Sequence, residues 1–230
     1  MLNILVADDE PAIVELISLY IETNEMTILR ASDGEEALNI VSENEIALGI
    51  IDIMMPKMNG FQVIEAIRKD YSMPLIILSA REDFSDKIHG LQIGADDYIT
   101  KPFNAMELKA RVEAHLRRYL TMEGKQANQL THISGLDIDF EAFAVYRDEE
   151  PVDLTATEFQ IFAFLAQKPG RVLTKQQIYE EVWGETYYGD ENTIRIHLSN
   201  LRDKIEINPK KPVIIKTVRG LGYKVEKQVG

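Results

Sequence analysis

Residues 48–60 read Leu-Gly-Ile-Ile-Asp-Ile-Met-Met-Pro-Lys-Met-Asn-Gly, and this stretch decides the fold. An apolar run ends at a single carboxylate, Asp52, and a turn rich in Pro, Asn and Gly follows. A short apolar run bounded by turn residues is typical of a strand buried on both faces. Asp52 would then lie at the carboxyl end of a central parallel strand, where open α/β sheets bind their ligands. The alternative is that Asp52 only caps the next element, a common role for an aspartate before a turn.

Four further apolar segments flank this strand in sequence, and an amphipathic helical pattern follows each of the five. The pattern predicts strands at 4–7, 27–31, 47–52, 75–78 and 95–99. It predicts helices at about 11–23, from Ser32 or Asp33 through 41, and at 60–69, 83–92 and 105–118. Five regular alternations predict an α/β fold, a doubly wound five-stranded parallel sheet with helices on both faces.

The second half of the chain has a different pattern. Residues 121–129 are polar without apolar periodicity and are predicted to be a linker. After it come short alternating strands, helices that begin at capping boxes at 155–158 and 174–177, a helix at about 192–205, and a hairpin pattern at 213–225. This order predicts an α+β winged helix-turn-helix. The predicted organisation is therefore 1–120, a linker at 121–129, and 130–230.

Composition limits the class of protein. The 230 residues include no cysteine, which excludes disulfides and thiolate metal sites. No apolar run is long enough to span a membrane and no signal pattern is present, so we expect a cytoplasmic protein without a membrane partner. The net charge of −13 argues against nucleic acid, but residues 195–230 carry nine Lys and Arg against three Asp and Glu. That basic end predicts a local site for a polyanion.

Charged and hydroxyl side chains follow the predicted strands. Asp8 and Asp9 follow the first strand, Asp52 ends the third, and Ser79 and Lys101 follow the fourth and fifth. Three carboxylates held together repel one another, and a hard divalent cation such as Mg²⁺ (or Mn²⁺) relieves the repulsion. Lys101 could pair with Asp52 and then with a phosphoryl oxygen, while Ser79 donates a hydrogen bond. These are the groups that phosphoryl transfer requires.

Two other interpretations of this cluster stay open. A metal-dependent phosphohydrolase would need a second carboxylate two residues after the nucleophile, where this chain has Met54 with only its backbone carbonyl. Neither a Gly-rich phosphate loop nor a Ser/His/Asp spacing is present. The cluster could also be an acidic turn without chemistry.

The helix predicted at 192–205 has an apolar side and a polar side. Ile194, Leu198, Leu201 and Ile205 share one face, which leaves a polar front suited to a DNA major groove. A solvated helix face is the alternative. The hairpin adds positive charge that could contact phosphates, and His197 is expected to contact phosphate or pack rather than bind metal. The candidate DNA-binding residues are Asn192, Thr193, Arg195, His197, Ser199, Asn200, Arg202, Lys216, Thr217, Arg219 and Tyr223.

The motifs of both halves resemble one family. Val-Ala-Asp-Asp-Glu at 6–10, Asp52 with Met-Pro-Lys-Met-Asn-Gly at 55–60, Ser-Ala at 79–80 and Lys-Pro at 101–102 resemble a response-regulator receiver domain. Leu-Thr-Ala-Thr-Glu-Phe at 154–159 and Thr-Val-Arg-Gly-Leu-Gly-Tyr at 217–223 resemble the effector domain of OmpR/PhoB regulators. The resemblance implies a phosphoacceptor at Asp52, with Ser79 and Lys101 holding the phosphate and Tyr98 acting with Ser79 as a switch. It implies that Mg²⁺ binds Asp8, Asp9, Asp52 and the Met54 carbonyl.

The same resemblance implies a symmetric dimer that forms through the receiver on phosphorylation. Its implied pairs across the two-fold axis are Lys87 with Glu107, Asp96 with Arg111, and Asp97 with Arg118. An intrahelical Glu107–Arg111 pair is the alternative. The implied interface residues are Lys87, Ile88, Leu91, Asp96, Asp97, Glu107, Arg111 and Arg118.

The function implied is a phosphorylation-activated, DNA-binding transcriptional regulator that is not a turnover enzyme. Its partners would be a sensor histidine kinase as phosphodonor, double-stranded DNA with tandem half-sites, a second copy of the chain, and RNA polymerase as a further candidate. Ser199 and Asn200 stand where several members of the family carry Arg, so no base preference follows. A regulator that acts without phosphorylation is the alternative.

Overall fold

A computed structural model describes residues 1–80, 83–121, 130–140, 142–184 and 191–226. The chain divides into two compact units, Met1–Tyr119 and Leu120–Gly230. Apart from Thr121, the predicted linker lies outside the described residues. Within the described ranges, no helix combines the length and apolar character needed to cross a membrane.

The first unit contains a five-stranded parallel sheet in the order β2-β1-β3-β4-β5. All seven residues of β3 are buried, as its apolar sequence predicts for a central strand. The α/β prediction is therefore confirmed. The strands are β1 (Leu2–Ala7), β2 (Met26–Ala31), β3 (Ile46–Asp52), β4 (Leu75–Ser79) and β5 (Asp97–Thr100).

Five helices alternate with these strands, and local side chains determine where several begin. Asp33, not Ser32, caps α2 by accepting the Glu36 N–H, and Asn59 forms a capping box with Gln62 at the start of α3. The predicted start of β5 at residue 95 is wrong, because the Ala95 N–H bonds to the Gly90 carbonyl at the end of α4. The helices are α1 (Pro11–Ile21), α2 (Gly34–Glu43), α3 (Gly60–Ile67), α4 (Phe84–Gln92) and α5 (Ala105–Thr121).

The second unit is the predicted winged helix. Its antiparallel strands are β6 (Thr131–Ile133), β7 (Leu136–Asp139), β8 (Ala144–Arg147) and β9 (Glu150–Pro151), and a hairpin joins β10 (Ile215–Val218) to β11 (Gly222–Val225). The pattern does not predict β6 and β9, which are too short to show alternation. The helices are α6 (Ala156–Ala166), α7 (Lys175–Trp183) and α8 (Glu191–Ile205).

The core of the second unit forms around α6 and α8. Both predicted capping boxes are present, and α7 ends at Gly184, whose φ of 71° is left-handed. Trp183 and Phe162 are the largest fully buried side chains there, and the hairpin contributes Ile215 to the same core. The hairpin is thereby packed against the helices.

Candidate functional site

The carboxyl edge of the parallel sheet brings three charged side chains together. Asp8 follows β1 and Asp52 ends the adjacent strand β3, so their side chains emerge at the same edge. Lys101, which follows β5, places its Nζ 2.7 Å from Asp8 Oδ2 and 2.9 Å from Asp52 Oδ1. The Lys101 side chain is only 11% exposed. One largely buried ammonium therefore pairs with two buried carboxylates.

Burial and pairing act against each other in this cluster. Burial raises the pKa of Asp8, and the hydrogen bonds from Lys101 and the Glu10 N–H only partly offset it. Burial favours the neutral amine of Lys101, but the hydrogen bonds to Asp8 and Asp52 outweigh it and raise the pKa of Lys101. Lys101 thus remains a fixed positive charge beside carboxylates.

Asp52 is held by its own turn. Its Oδ2 accepts the Met54 N–H at 2.6 Å, while Oδ1 is the oxygen that pairs with Lys101. Gly60 closes the turn so tightly that a Cβ there would lie 2.1 Å from the Asp52 carbonyl oxygen. Because Asn59 caps α3, the alternative that Asp52 only caps the next helix is wrong.

The remaining predicted pocket residues differ in exposure. Ser79 and Tyr98 are buried, and Asp9 is exposed. The Lys101 N–H bonds to the Ser79 carbonyl at 2.7 Å, which fixes the start of the loop after β5 relative to β4. Glu10, which the sequence motif includes without assigning it a role, places a carboxylate oxygen 3.5 Å from Lys101 Nζ. The burial of Tyr98 means that its side chain already lies inward.

The oxygen ligands at this edge suit a hard cation, but their arrangement differs from the prediction. Among the described residues, no three His, Asp or Glu side chains are grouped so as to hold a metal ion. Lys101 lies between Asp8 and Asp52, and Asp9 is exposed. Carboxylates and a Met54 carbonyl match the chemistry that Mg²⁺ prefers. The donor types therefore suit Mg²⁺, while the positions of Lys101 and Asp9 differ from the predicted arrangement of ligands.

The predicted dimer face needs two corrections. Asp96 is fully buried, and its Oδ2 accepts hydrogen bonds from Arg68 Nη2 and the Leu75 N–H, both at 2.8 Å. Leu91 is also fully buried. Both were expected at an intermolecular interface, and both instead pack inside the unit, Leu91 on the buried side of α4 and Asp96 against the start of β4. The interface positions of Asp96 and Leu91 are therefore wrong for this conformation.

Arg111 is paired within its own chain. Its guanidinium binds Asp97 at 2.8 Å and Glu107 at 2.9 Å, so the intrahelical alternative is present. Burial alone would raise the pKa of Asp97, but the Arg111 guanidinium and the neighbouring His115 hold it well below the usual range. Lys87 and Ile88 are partly buried, Glu107 is exposed, and the Arg118 side chain lies outside the described part of the chain.

Sequence reasoning missed Arg68 and His115. Arg68 donates to the Gly94 and Met73 carbonyls as well as to Asp96, and His115 Nε2 is 3.9 Å from Asp97 Oδ2. Arg68 and Asp96 are 28 residues apart, and no local spacing signals such a pair.

Helix α8 has the predicted apolar face, but its exposed polar face is smaller than predicted. Arg195 and Ser199 are exposed, and Asn192 and Asn200 are partly buried. The predicted DNA contacts of Thr193 and His197 are wrong, because both are buried. The His197 ring lies 5.5 Å from that of Trp183, so the alternative of a packed helix residue is correct.

Only some of the predicted DNA-binding residues of the hairpin are exposed. Thr217 and Arg219 are exposed and Lys216 is partly buried. Tyr223 is buried, and its backbone exchanges two hydrogen bonds with Leu173. Arg202 donates to the Ile215 carbonyl and to Thr217 Oγ1, so its predicted DNA contact is replaced by contacts inside the unit.

Comparison with known proteins agrees with this architecture. Residues 4–113 match the family described as response regulator receiver domain, and residues 149–225 match transcriptional regulatory protein, C terminal. The chain is 46% identical over 227 residues to response regulator GtcR of Aneurinibacillus migulanus, covering 96% of this chain and 94% of GtcR. This chain belongs to the OmpR/PhoB family of response regulators.

Two further proteins support the same family. The alkaline phosphatase synthesis regulator PhoP of Bacillus subtilis is 40% identical over 231 residues, covering 97% of this chain and 96% of PhoP. The solved structure of DrrB, a Thermotoga maritima OmpR/PhoB homologue, is 29% identical with a TM-score of 0.51, covering 99% of this chain and all of DrrB. The chain is thus a two-component response regulator and transcription factor with a receiver and a DNA-binding domain.

Proposed function

We propose that this response regulator accepts a phosphoryl group on Asp52 and that phosphorylation increases its affinity for DNA. The observation that carries the proposal is Lys101, held between Asp8 and Asp52 at the edge of the sheet. The arrangement provides a carboxylate nucleophile together with a cation that can neutralise charge on the transferred group. A phosphohistidine of a sensor kinase is the proposed donor, in the cytoplasm.

In this mechanism an Asp52 carboxylate oxygen attacks phosphorus, and the P–N bond of the phosphohistidine breaks as the imidazole leaves. The Met54 N–H holds Oδ2 of Asp52, so the carboxylate is oriented before the donor arrives. Lys101 then exchanges its contact with Asp52 for one with a phosphoryl oxygen, and the Ser79 hydroxyl donates to another. Mg²⁺, held by Asp8, Asp9, Asp52 and the Met54 carbonyl, would supply further charge neutralisation.

The proposed output is a dimer that binds tandem DNA half-sites about one helical turn, roughly 10 bp, apart. A Ser79 hydroxyl engaged by the phosphoryl group would hold Tyr98 in the inward position that it already occupies and so stabilise one arrangement of the neighbouring surface of α4 and α5. Of the implied interface pairs, we favour Lys87 with Glu107, because Glu107 is exposed and Lys87 is only partly buried. RNA polymerase would then be a partner at the promoter.

The test is to incubate the full chain with Mg²⁺ and a radiolabelled small-molecule phosphodonor. We expect label on the wild type and none above background on Asp52→Asn, which lacks the nucleophile. DNA binding should increase with labelling only in the wild type. Label on Asp52→Asn would contradict the acceptor assignment, equal DNA binding with and without label would support a phosphorylation-independent regulator, and multiple turnover of the donor would support a phosphohydrolase.

Lys87→Glu tests the dimer separately. The reversed charge should repel Glu107 of a second copy and reduce phosphorylation-dependent dimerisation, measured by analytical ultracentrifugation of labelled protein. Lys69→Glu, an exposed charge reversal outside α4 and α5, is the matched control. Dimerisation that Lys87→Glu leaves unchanged would rule out this pair.

A further inference from the structure

A single residue at the start of the hairpin is held from both sides by side chains at the C-terminal end of α8. Ile215 begins β10, and its N–H donates to Glu206 Oε1 at 2.9 Å. Its carbonyl accepts from the Arg202 guanidinium, with Nη2 at 2.7 Å and Nε at 3.2 Å. Arg202 lies in the last turn of α8 and Glu206 follows its last residue. The helix thus binds both polar groups of one residue of the hairpin.

Glu206 binds more than one residue of the chain that returns to the hairpin. Its carboxylate also accepts the N–H groups of Val213 at 2.8 Å and of Ile214 at 3.0 Å. The residue is only 4% exposed. A carboxylate beside the C-terminus of a helix opposes the helix dipole, so these three consecutive N–H donors account for its stability there. Glu206 therefore fixes the path of residues 213–215.

Arg202 holds the hairpin further along β10. Its Nη2 donates to Thr217 Oγ1 at 3.0 Å, and its guanidinium carbon lies 5.7 Å from the centre of the Tyr223 ring on β11. The planar guanidinium reaches two acceptors in a fixed geometry, which an ammonium group does not. Arg202 therefore connects α8 with both strands of the hairpin.

We propose that Arg202 and Glu206 are positioning residues that hold the exposed Arg219 of the hairpin in a fixed position relative to Arg195 and Ser199 of α8. DNA would then meet two contact surfaces whose separation is already set, which reduces the ordering cost of binding. Arg202 and Glu206 contribute without contacting DNA. The inference rests on the proposed DNA-binding function.

Glu206→Gln is the decisive substitution, because the loss of positioning should weaken DNA binding, whereas the loss of a negative charge should not. Removing a negative charge from a DNA-binding unit should leave affinity unchanged or increase it. Glutamine retains only one acceptor oxygen for three N–H groups, so loss of the fixed position should weaken binding about tenfold. Asp203→Asn, an exposed charge removal on the same helix, is the matched control and should not weaken binding.

The experiment uses the full chain and one DNA duplex selected from a random pool by the wild type, with affinities measured over a range of salt concentrations. Arg219→Ala removes the proposed contact between the hairpin and DNA. Adding Glu206→Gln to this variant should therefore lower DNA affinity by less than about a further twofold. Arg202→Lys should also weaken binding without lowering the salt slope, because its charge is kept. Additive losses in the double variant, or wild-type affinity in Arg202→Lys, would contradict the proposal.

Folding is monitored by the emission of Trp183, the one tryptophan in the sequence, which is buried beside α8. If Glu206→Gln does not fold, Arg202→Lys takes its place. Added to Arg219→Ala, it should cause less than about a twofold further loss of DNA affinity. If the wild type selects no duplex, the DNA-binding function itself fails. If the wild type binds and folded Glu206→Gln binds equally well, only the positioning role is wrong.

Discussion

The two functional regions of this regulator hold their charges in opposite ways. At the edge of the receiver sheet, the buried Asp8 and Asp52 face the largely buried Lys101 side chain. On the winged helix, Arg195 and Arg219 are exposed, and the partly buried cation Arg202 lies behind them in contact with the hairpin. Breaking a buried ion pair is costly, whereas exposed charges contribute little to folding.

The difference separates stability from binding. In the receiver pocket, a substitution that alters function should also alter the free energy of unfolding. On the proposed DNA-contact surface, a substitution of an exposed residue should alter binding alone.

The largest effect is expected for Lys101→Met. The variant leaves two adjacent buried carboxylates without their cation, so it should lower the free energy of unfolding by about 3–5 kcal/mol at pH 7. Urea unfolding followed by circular dichroism measures it. Lys109→Met, which removes a partly exposed Lys109–Glu113 pair at 3.9 Å, is the control and should change stability by less than about 0.5 kcal/mol. Similar losses in both variants would show that the paired charges of the pocket contribute no more to stability than a more exposed pair does.

Replacing a glycine should likewise cost more stability in the receiver pocket than in the hairpin of the winged helix. In Gly60→Ala the new Cβ would meet the Asp52 carbonyl oxygen at 2.1 Å, and backbone cannot move aside cheaply, so a loss of about 3 kcal/mol is expected. Gly220, in the hairpin turn, has open space around it and a φ of 74°. Gly220→Ala should therefore cost only about 1 kcal/mol, from the left-handed backbone. Equal shifts in urea midpoint would show that the turn after Asp52 is not tightly packed.

The order of strands and helices along the chain explains why the pocket was predictable. In a parallel sheet, residues that follow different strands must emerge at one edge, so Asp8, Asp52 and Lys101 could be brought together from their positions in sequence alone. The distances between these side chains and the position of Lys101 between the carboxylates could not be predicted, because the spacing of residues in sequence does not determine side-chain rotamers.

Helical faces were predictable only in part. The spacing of Ile194, Leu198 and Leu201 identifies one buried side of α8, but periodicity cannot show that Trp183 of α7 covers a second side at His197. Asp96, which directly precedes β5, illustrates the same limit in the receiver, because its partner Arg68 follows α3 and is 28 residues away in sequence. Charged residues beside a helix are thus ambiguous until their neighbours in space are known.

Asp97→Asn tests the internal pairing that replaces part of the predicted dimer face. Arg111 and His115 lower the pKa of Asp97, so its stabilising contribution is present above the unfolded pKa near 3.8 and is lost as pH falls through the lower folded value. The variant should lose about 2 kcal/mol at pH 7, and this difference should shrink in the most acidic buffers in which the wild type stays folded. A loss that does not depend on pH would mean that packing, not charge, links Asp97 to Arg111.

The smallest effect on stability, and the clearest on binding, is expected for Arg195→Ala. Because Arg195 is exposed, unfolding should change by less than about 0.5 kcal/mol. Affinity for a selected duplex should fall about tenfold, with the salt slope reduced by about one if the contact is to phosphate.

Thr193→Val, two residues away on the same helix but buried, is the matched comparison. It should lower stability by about 1 kcal/mol, because it removes a buried hydroxyl. The folded fraction should then bind DNA with unchanged affinity and salt slope. If Thr193→Val weakened binding as much as Arg195→Ala, exposure would not separate binding from stability on α8, and the contact surface would extend to the buried side of the helix.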